Sequence, residues 1–185
     1  MMRSVLVFTF LVLPATQGTG DEALLKALAN SKHSLAEGIQ QVTTATAIPI
    51  SAKFEIEHEK LSLSVYTAAK GLGVDAEHNV LQEHAGNPEA AAWKPELEVF
   101  ADGEHIARSA QQLTLMALAR DTLLDVVKKA EKSQGGTVCS ITPVLRDRKA
   151  LFVVLVAQNG RTSELVYDLL TGEPVKHREE GGAKK

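Results

Sequence analysis

The chain has 185 residues, 44% hydrophobic and 23% charged, with a formal net charge of −3. That balance describes an ordinary globular protein and excludes a collagen, a coiled coil or wholesale disorder. Twenty basic against 23 acidic side chains argue against a nucleic-acid binder living on phosphate contacts, and the single Cys139 excludes an internal disulfide framework or a zinc site built from cysteine pairs.

Arg3 followed by the apolar run 5–13 and then by small residues reads as a secretory signal over residues 1–20, with cleavage after Ala15, Gly18 or Gly20. The run is too short for a bilayer core of about 30 Å, which needs about 20 helical residues. No later stretch approaches that length, so no membrane span is expected after cleavage. The exported chain is expected in the secreted or periplasmic space.

Two segments then follow the same plan, 34–67 and 122–156. Each opens on a hydroxyl residue with an acid three positions later, Ser34 with Glu37 and Thr122 with Asp125. The first pair predicts a full capping box, whereas the shorter Asp125 secures only the N-cap half. An apolar helical stripe comes next (Leu35, Ile39, Val42; Leu123 or Leu124, Val127, Ala130).

A strand of strict alternation follows, with Ile50, Ala52, Phe54 and Ile56 matching Cys139, Ile141, Pro143 and Leu145 at a spacing of 89. A charged turn leads to a second strand, Leu63 and Val65 matching Phe152 and Val154, and Asn159-Gly160 predicts a tight hairpin. For the third strand the spacing is read as 86, placing Gly86 on Gly172 and Pro88 on Pro174. More helix is expected at 21–31 and 104–121, and one short strand at 96–100 within a bridging segment 89–103. The fold class expected is α+β, with two repeated units (21–88 and 104–175), each a helix or helix pair on its own three-stranded antiparallel sheet. A charged, flexible tail covers 176–185.

The stretch Tyr167-Asp168-Leu169-Leu170-Thr171-Gly172-Glu173-Pro174, preceded by the apolar strand 152–156 and Asn159-Gly160, resembles the PepSY domain family, in which a third strand ends in Asp-x-x-Thr-Gly. The match covers 121–175. In 33–88 Gln82 and Ala85 stand where Asp168 and Thr171 would be, and only the outline is similar. The resemblance implies an exported, non-catalytic module, of a kind found in propeptides of secreted metallopeptidases and in envelope proteins. The residues themselves make Asp168, Thr171 and Gly172 builders of a turn.

Catalytic and metal chemistry finds little support. Six histidines are present and none pairs with another at the i, i+4 spacing of helical zinc motifs. His58 reads as part of a solvated turn. Cys139, on the apolar face of a strand with no acidifying neighbour in sequence, reads as a buried thiol. No nucleophile elbow, phosphate loop or dinucleotide fingerprint occurs, so no cofactor, no metal site and no catalytic residue are expected.

The oddity is 151–156, apolar on both faces where 61–65 alternates with serine. Burial of the second face inside the molecule is the first expectation; if Leu151, Val153 and Leu155 are exposed, they form the candidate partner-binding surface. The functional expectation is an exported protein that binds, and in one version inhibits, a secreted or envelope protein such as a peptidase. Its rival is an envelope protein holding a small molecule or metal ion between the two units.

Overall fold

The structure, a computed structural model, describes residues 19–175. The leader expected over 1–20 lies outside the described residues except for its last two positions, and the tail 176–185 lies wholly outside them. The elements are α1 (Thr19–Leu28), α2 (Leu35–Val42), β1 (Ile48–Glu57), β2 (Lys60–Ala68), β3 (Leu81–Gly86), β4 (Glu96–Val99), α3 (Gly103–Met116), α4 (Leu123–Gln134), β5 (Thr137–Arg146), β6 (Lys149–Gln158) and β7 (Arg161–Asp168).

The expectation of two units with separate three-stranded sheets is corrected: the strands form one seven-stranded antiparallel sheet, ordered β4-β3-β2-β1-β5-β6-β7. The joint is β1 against β5, with Ala52 opposite Ile141 and Lys53 opposite Ser140. Each meander alone would leave its first strand as an open edge of unpaired N–H and C=O groups, and pairing the two edges removes both. At the far side β4, from the segment read as a bridge, adds to β3.

The 89-residue spacing recurs in the details of the two hairpins. Both β1 and β5 carry a register shift, at Pro49/Ser51 and at Val138/Ser140, which makes Ile50 and Cys139 the bulged residues. Both hairpins turn through two residues of positive φ, His58 and Glu59 in one, Asp147 and Arg148 in the other, the geometry whose twist matches that of the flanking strands. The third strands depart from expectation. Val65 faces His84 while Val154 faces Leu165, so β3 and β7 correspond at a spacing of 81, not 86, because the loop after β2 is longer than the sequence comparison allowed. Gly86 and Gly172 are therefore not equivalent.

Both cap predictions resolve as full capping boxes. Glu37 accepts from the Ser34 N–H at 2.7 Å, and Asp125, despite its shorter side chain, accepts from the Thr122 N–H at 3.2 Å. The segment 104–121 is one helix that stops at Met116 and gives way to a connection ending at the Thr122 cap.

Helices α2 and α4 lie side by side on the face that carries Ile50, Ala52, Leu63, Val65, Ile141, Phe152 and Val154, with Gly38 of α2 directly over Leu63. Helix α3 lies on the opposite face, mainly over β5 and β1. One contiguous core runs through both halves, from Ile39 and Trp93 to Val126, Phe152 and Leu169. Two buried polar atoms have no hydrogen-bond partner among the described residues, the Trp93 indole Nε1 and the Ser64 hydroxyl, and Ser64 is fully buried. A buried unpaired hydroxyl costs roughly 1–3 kcal/mol. Ser64→Ala is therefore expected to stabilise the protein by about 1 kcal/mol, read as a higher urea midpoint; a lower midpoint would show that the hydroxyl is satisfied.

Candidate functional site

The Asp168 turn is built by local hydrogen bonds. Asp168 ends β7, and its Oδ1 accepts from the Leu170 N–H at 3.0 Å, the Thr171 N–H at 2.9 Å and the Thr171 hydroxyl at 3.0 Å. These donors hold its carboxyl below the usual carboxylate range, the Thr171 N–H contributing most. The Gly172 N–H returns to the Asp168 carbonyl at 2.8 Å, with Gly172 at φ 72°. The turn then rests on the start of α4, where Lys129 donates to Asp121 at 2.6 Å and to the Gly172 carbonyl at 3.3 Å. Asp168 and Thr171 thus spend their polar atoms on the backbone, and neither is set up as a base or nucleophile.

The residues 151, 153 and 155 all stand on the α3 face of the sheet, and the structure separates them. Leu151 is buried at 6% exposure, whereas Val153 and Leu155 are half-buried. Leu155 packs against the core; Leu151 and Val153 stand outside that cluster. Register places Val144 beside Leu151 and Val166 beside Val153, so with Leu155 five aliphatic side chains on three strands share this face. Helix α3 sits over β1 and β5, and among the described residues no helix packs mainly on β6 and β7 on this face. Arg146 of β5, level with Lys149, reaches Glu164 of β7, level with Leu155, at 2.7 Å, so the ion pair crosses β6 over the stretch that holds Leu151 and Val153.

The other half of the same face is acidic. Glu55, Glu83, Glu96 and Glu98 lie on β1, β3 and β4 with the same orientation by register, around Tyr66. Burial first, then the charges of Glu83 and Glu55, push the Tyr66 phenol well above its usual range, so it stays protonated. Lys53 pairs with Glu55 and lies over the Tyr66 ring, 5.6 Å from its centroid. Tyr66 also meets Phe100, which stacks on His105 with centroids 5.0 Å apart.

The histidines are dispersed. His78 pairs with Asp75 and His105 with Asp102 within their own turns, His33 meets the Ala90 carbonyl at 3.1 Å, and His84 meets the Thr67 hydroxyl at 3.2 Å. Among the described residues no three His, Cys, Asp or Glu side chains converge as a metal site. Cys139 is buried, its Sγ 3.5 Å from the Thr137 carbonyl. Burial holds the His84 imidazole below its ordinary pKa. As pH falls through about 6.5 the unfolded chain takes up this proton before the folded one does, so stability falls with pH in that window. Melting temperature between pH 7 and pH 5.5 should fall more in the native sequence than in His84→Gln; parallel curves would remove His84 as the cause. The carboxylates held below their ordinary range, Glu37, Asp75, Asp102, Asp125 and Asp168, add their losses only at lower pH.

The rival expectation placed a ligand between the two halves without naming residues, and the lining that the sequence did not single out lies where they meet. A cleft of about 440 Å³ opens between the end of α2, the start of β1 and the α3–α4 connection. Its walls include Ile39, Ile48, Leu72, Met116 and Leu123, with Arg120 at its rim. The signal available in the sequence was Arg120-Asp121 directly before the Thr122 cap, which marks a helix–helix junction and not a continuous helix.

No family model matches the chain, and no curated protein matches it. Among solved structures, the chain is similar to a crystal structure described as that of a "putative lipoprotein" from Clostridium difficile 630, at 16% identity over 70% of this chain and 80% of that one, with a TM-score of 0.35. A likeness that slight transfers neither fold nor function. Among the described residues no helix is long and apolar enough to cross a membrane.

Proposed function

We propose that this is an exported, non-catalytic binding protein, PepSY-like over 121–175, that docks a secreted or envelope protein on the open face of β5, β6 and β7. A peptidase, held in inhibited form, is the partner class the resemblance points to. The observation that carries the docking reading is the half-buried strip Val144, Val153 and Val166, on the part of this sheet face beyond α3; Leu151 beside them is buried and is not available to a partner. Supporting it, Asp168 and Thr171 are consumed by their own turn. A stable interface buries about 800 Å² per partner, more than these aliphatic side chains supply. The partner therefore also covers Thr142, level with Val153, and the Arg146–Glu164 pair that crosses β6. Export rests on the leader-like residues 1–20, and with it the secreted or periplasmic location.

The test is a pull-down from the host's secreted and envelope fractions with the native protein and with Val153→Asp as baits. Val153 is only half-buried, so the variant is expected to fold at a cost of about 1 kcal/mol, checked by its melting curve. The expected result is a stoichiometric partner retained by the native bait and weakened at least about tenfold by the folded variant, equivalent to about 1.4 kcal/mol. Equal retention by both baits would sink the docking reading.

A further inference from the structure

We propose that the cleft between α2 and the α3–α4 connection is a binding site for a small amphiphile with a carboxylate head and a medium-length acyl body. This proposal is independent of protein docking on β5–β7, which uses the opposite face of the sheet.

Size and lining come first. At about 440 Å³ the cleft falls within the range of small-molecule sites, roughly 300–1,000 Å³. Its walls are aliphatic: Ile39 from α2, Ile48 from β1, Leu72 from the loop after β2, Met116 from α3 and Leu123 from α4. Among the described residues no aromatic ring lines it to offer a stacking platform, so a flexible aliphatic chain suits the walls better than a planar heterocycle. The site is shared between both halves of the chain, and it exists only because β1 and β5 join them.

Charge then selects the head group. Two ionised side chains line the cleft, Asp121 and Arg120, and Asp125 follows in the first turn of α4. Asp121 is paired with Lys129 at 2.6 Å. Asp125 is bonded into the α4 cap by the Thr122 N–H and hydroxyl. Arg120 is different: its Nη1 donates to the Thr171 carbonyl at 3.3 Å, and no ion pair involves it among the described residues. A guanidinium has five N–H donors in a planar fork that matches a carboxylate. With the neighbouring acids engaged, Arg120 is the group left to recognise an anion, and it stands where an acyl chain in the cleft would present its head.

Octanoate and decanoate, kept below micelle-forming concentration, are the probes, with hexanoate, acetate and neutral octanol as comparisons. Calorimetric titration of the full chain should give one site, tightening about fourfold per added methylene until the cleft is filled. Octanol should bind about tenfold more weakly than octanoate. Arg120→Gln, an exposed position, should keep the fold and erase that difference. Ala119→Trp, which fills the cleft wall, should weaken octanoate and octanol together. Should that variant not fold, octanoate-induced NMR shifts of the native protein are read instead, and they should centre on the Ile39, Leu72 and Leu123 methyls. Absence of saturable binding at millimolar decanoate would overturn the proposal. So would octanoate binding unchanged in Arg120→Gln, or shifts centred on β5–β7.

Discussion

Phe152→Ala is expected to destabilise the protein by roughly 3–5 kcal/mol. Phe152 is fully buried in the middle of β6, with Pro143 beside it on β5 and Tyr167 on β7, under the face that α4 covers. Removing the ring forfeits its transfer free energy and leaves a void that the strands cannot close, because each neighbour is held by ladder hydrogen bonds. Natural domains are stable by only about 5–15 kcal/mol, so the variant should sit near the edge of folding. In urea the midpoint should fall with the slope unchanged. A loss below about 1 kcal/mol would mean that the ring is not packed as described.

Gly172→Ala is expected to cost about 2–4 kcal/mol, an unusual sum for adding one methyl group. Two effects combine. Gly172 holds φ 72°, a conformation in which any Cβ is strained. The added Cβ would also stand 2.0 Å from Asp121 Oδ2, so the carboxylate must move and release Lys129. A double-mutant cycle separates them: in an Asp121→Ala background the contact is gone and only the backbone strain, about 1 kcal/mol, should remain. If the cost is the same in both backgrounds, the turn does not rest on α4 through Asp121.

These two positions also show which parts of the fold the sequence reveals. Short-range features were legible. The caps at Ser34 and Thr122, the alternation in β1 and β5, and the hairpin turns at His58-Glu59 and Asp147-Arg148 are each set by residues within a few positions of one another. The third strands misled because two glycines looked alike. Gly172 is required by its positive φ. Gly86 sits in β3, where a Cβ would be 3.0 Å from both Trp93 Nε1 and the Pro95 Cα. One letter thus served two unrelated needs, close approach in one place and turn geometry in the other.

Edge pairing was illegible for a different reason. The alternation of Ala52 and Ile141 is the same whether β1 and β5 end two sheets or join one, since the ladder is made by backbone groups that every residue carries. The candidate surface was half legible. The doubly apolar run 151–156 was plain, but Leu151 and Leu155 differ from Val153 in what surrounds them, and that depends on where α3 lies. Arg120-Asp121 before the Thr122 cap hinted at a helix–helix junction, but the cleft that Arg120 borders depends on α3 stopping at Met116.

The β1–β5 joint carries the account, because it makes one body of the two halves and creates the cleft between them. Scanning calorimetry of the native protein and of Ile141→Ala tests it most directly. Ile141 is fully buried at the joint, opposite Ala52, and its truncation should cost about 2–5 kcal/mol. The expected result is a single transition with matching calorimetric and van't Hoff enthalpies, moved down as a whole by the substitution. Two transitions, only the second of which moves in Ile141→Ala, would contradict a single joined sheet.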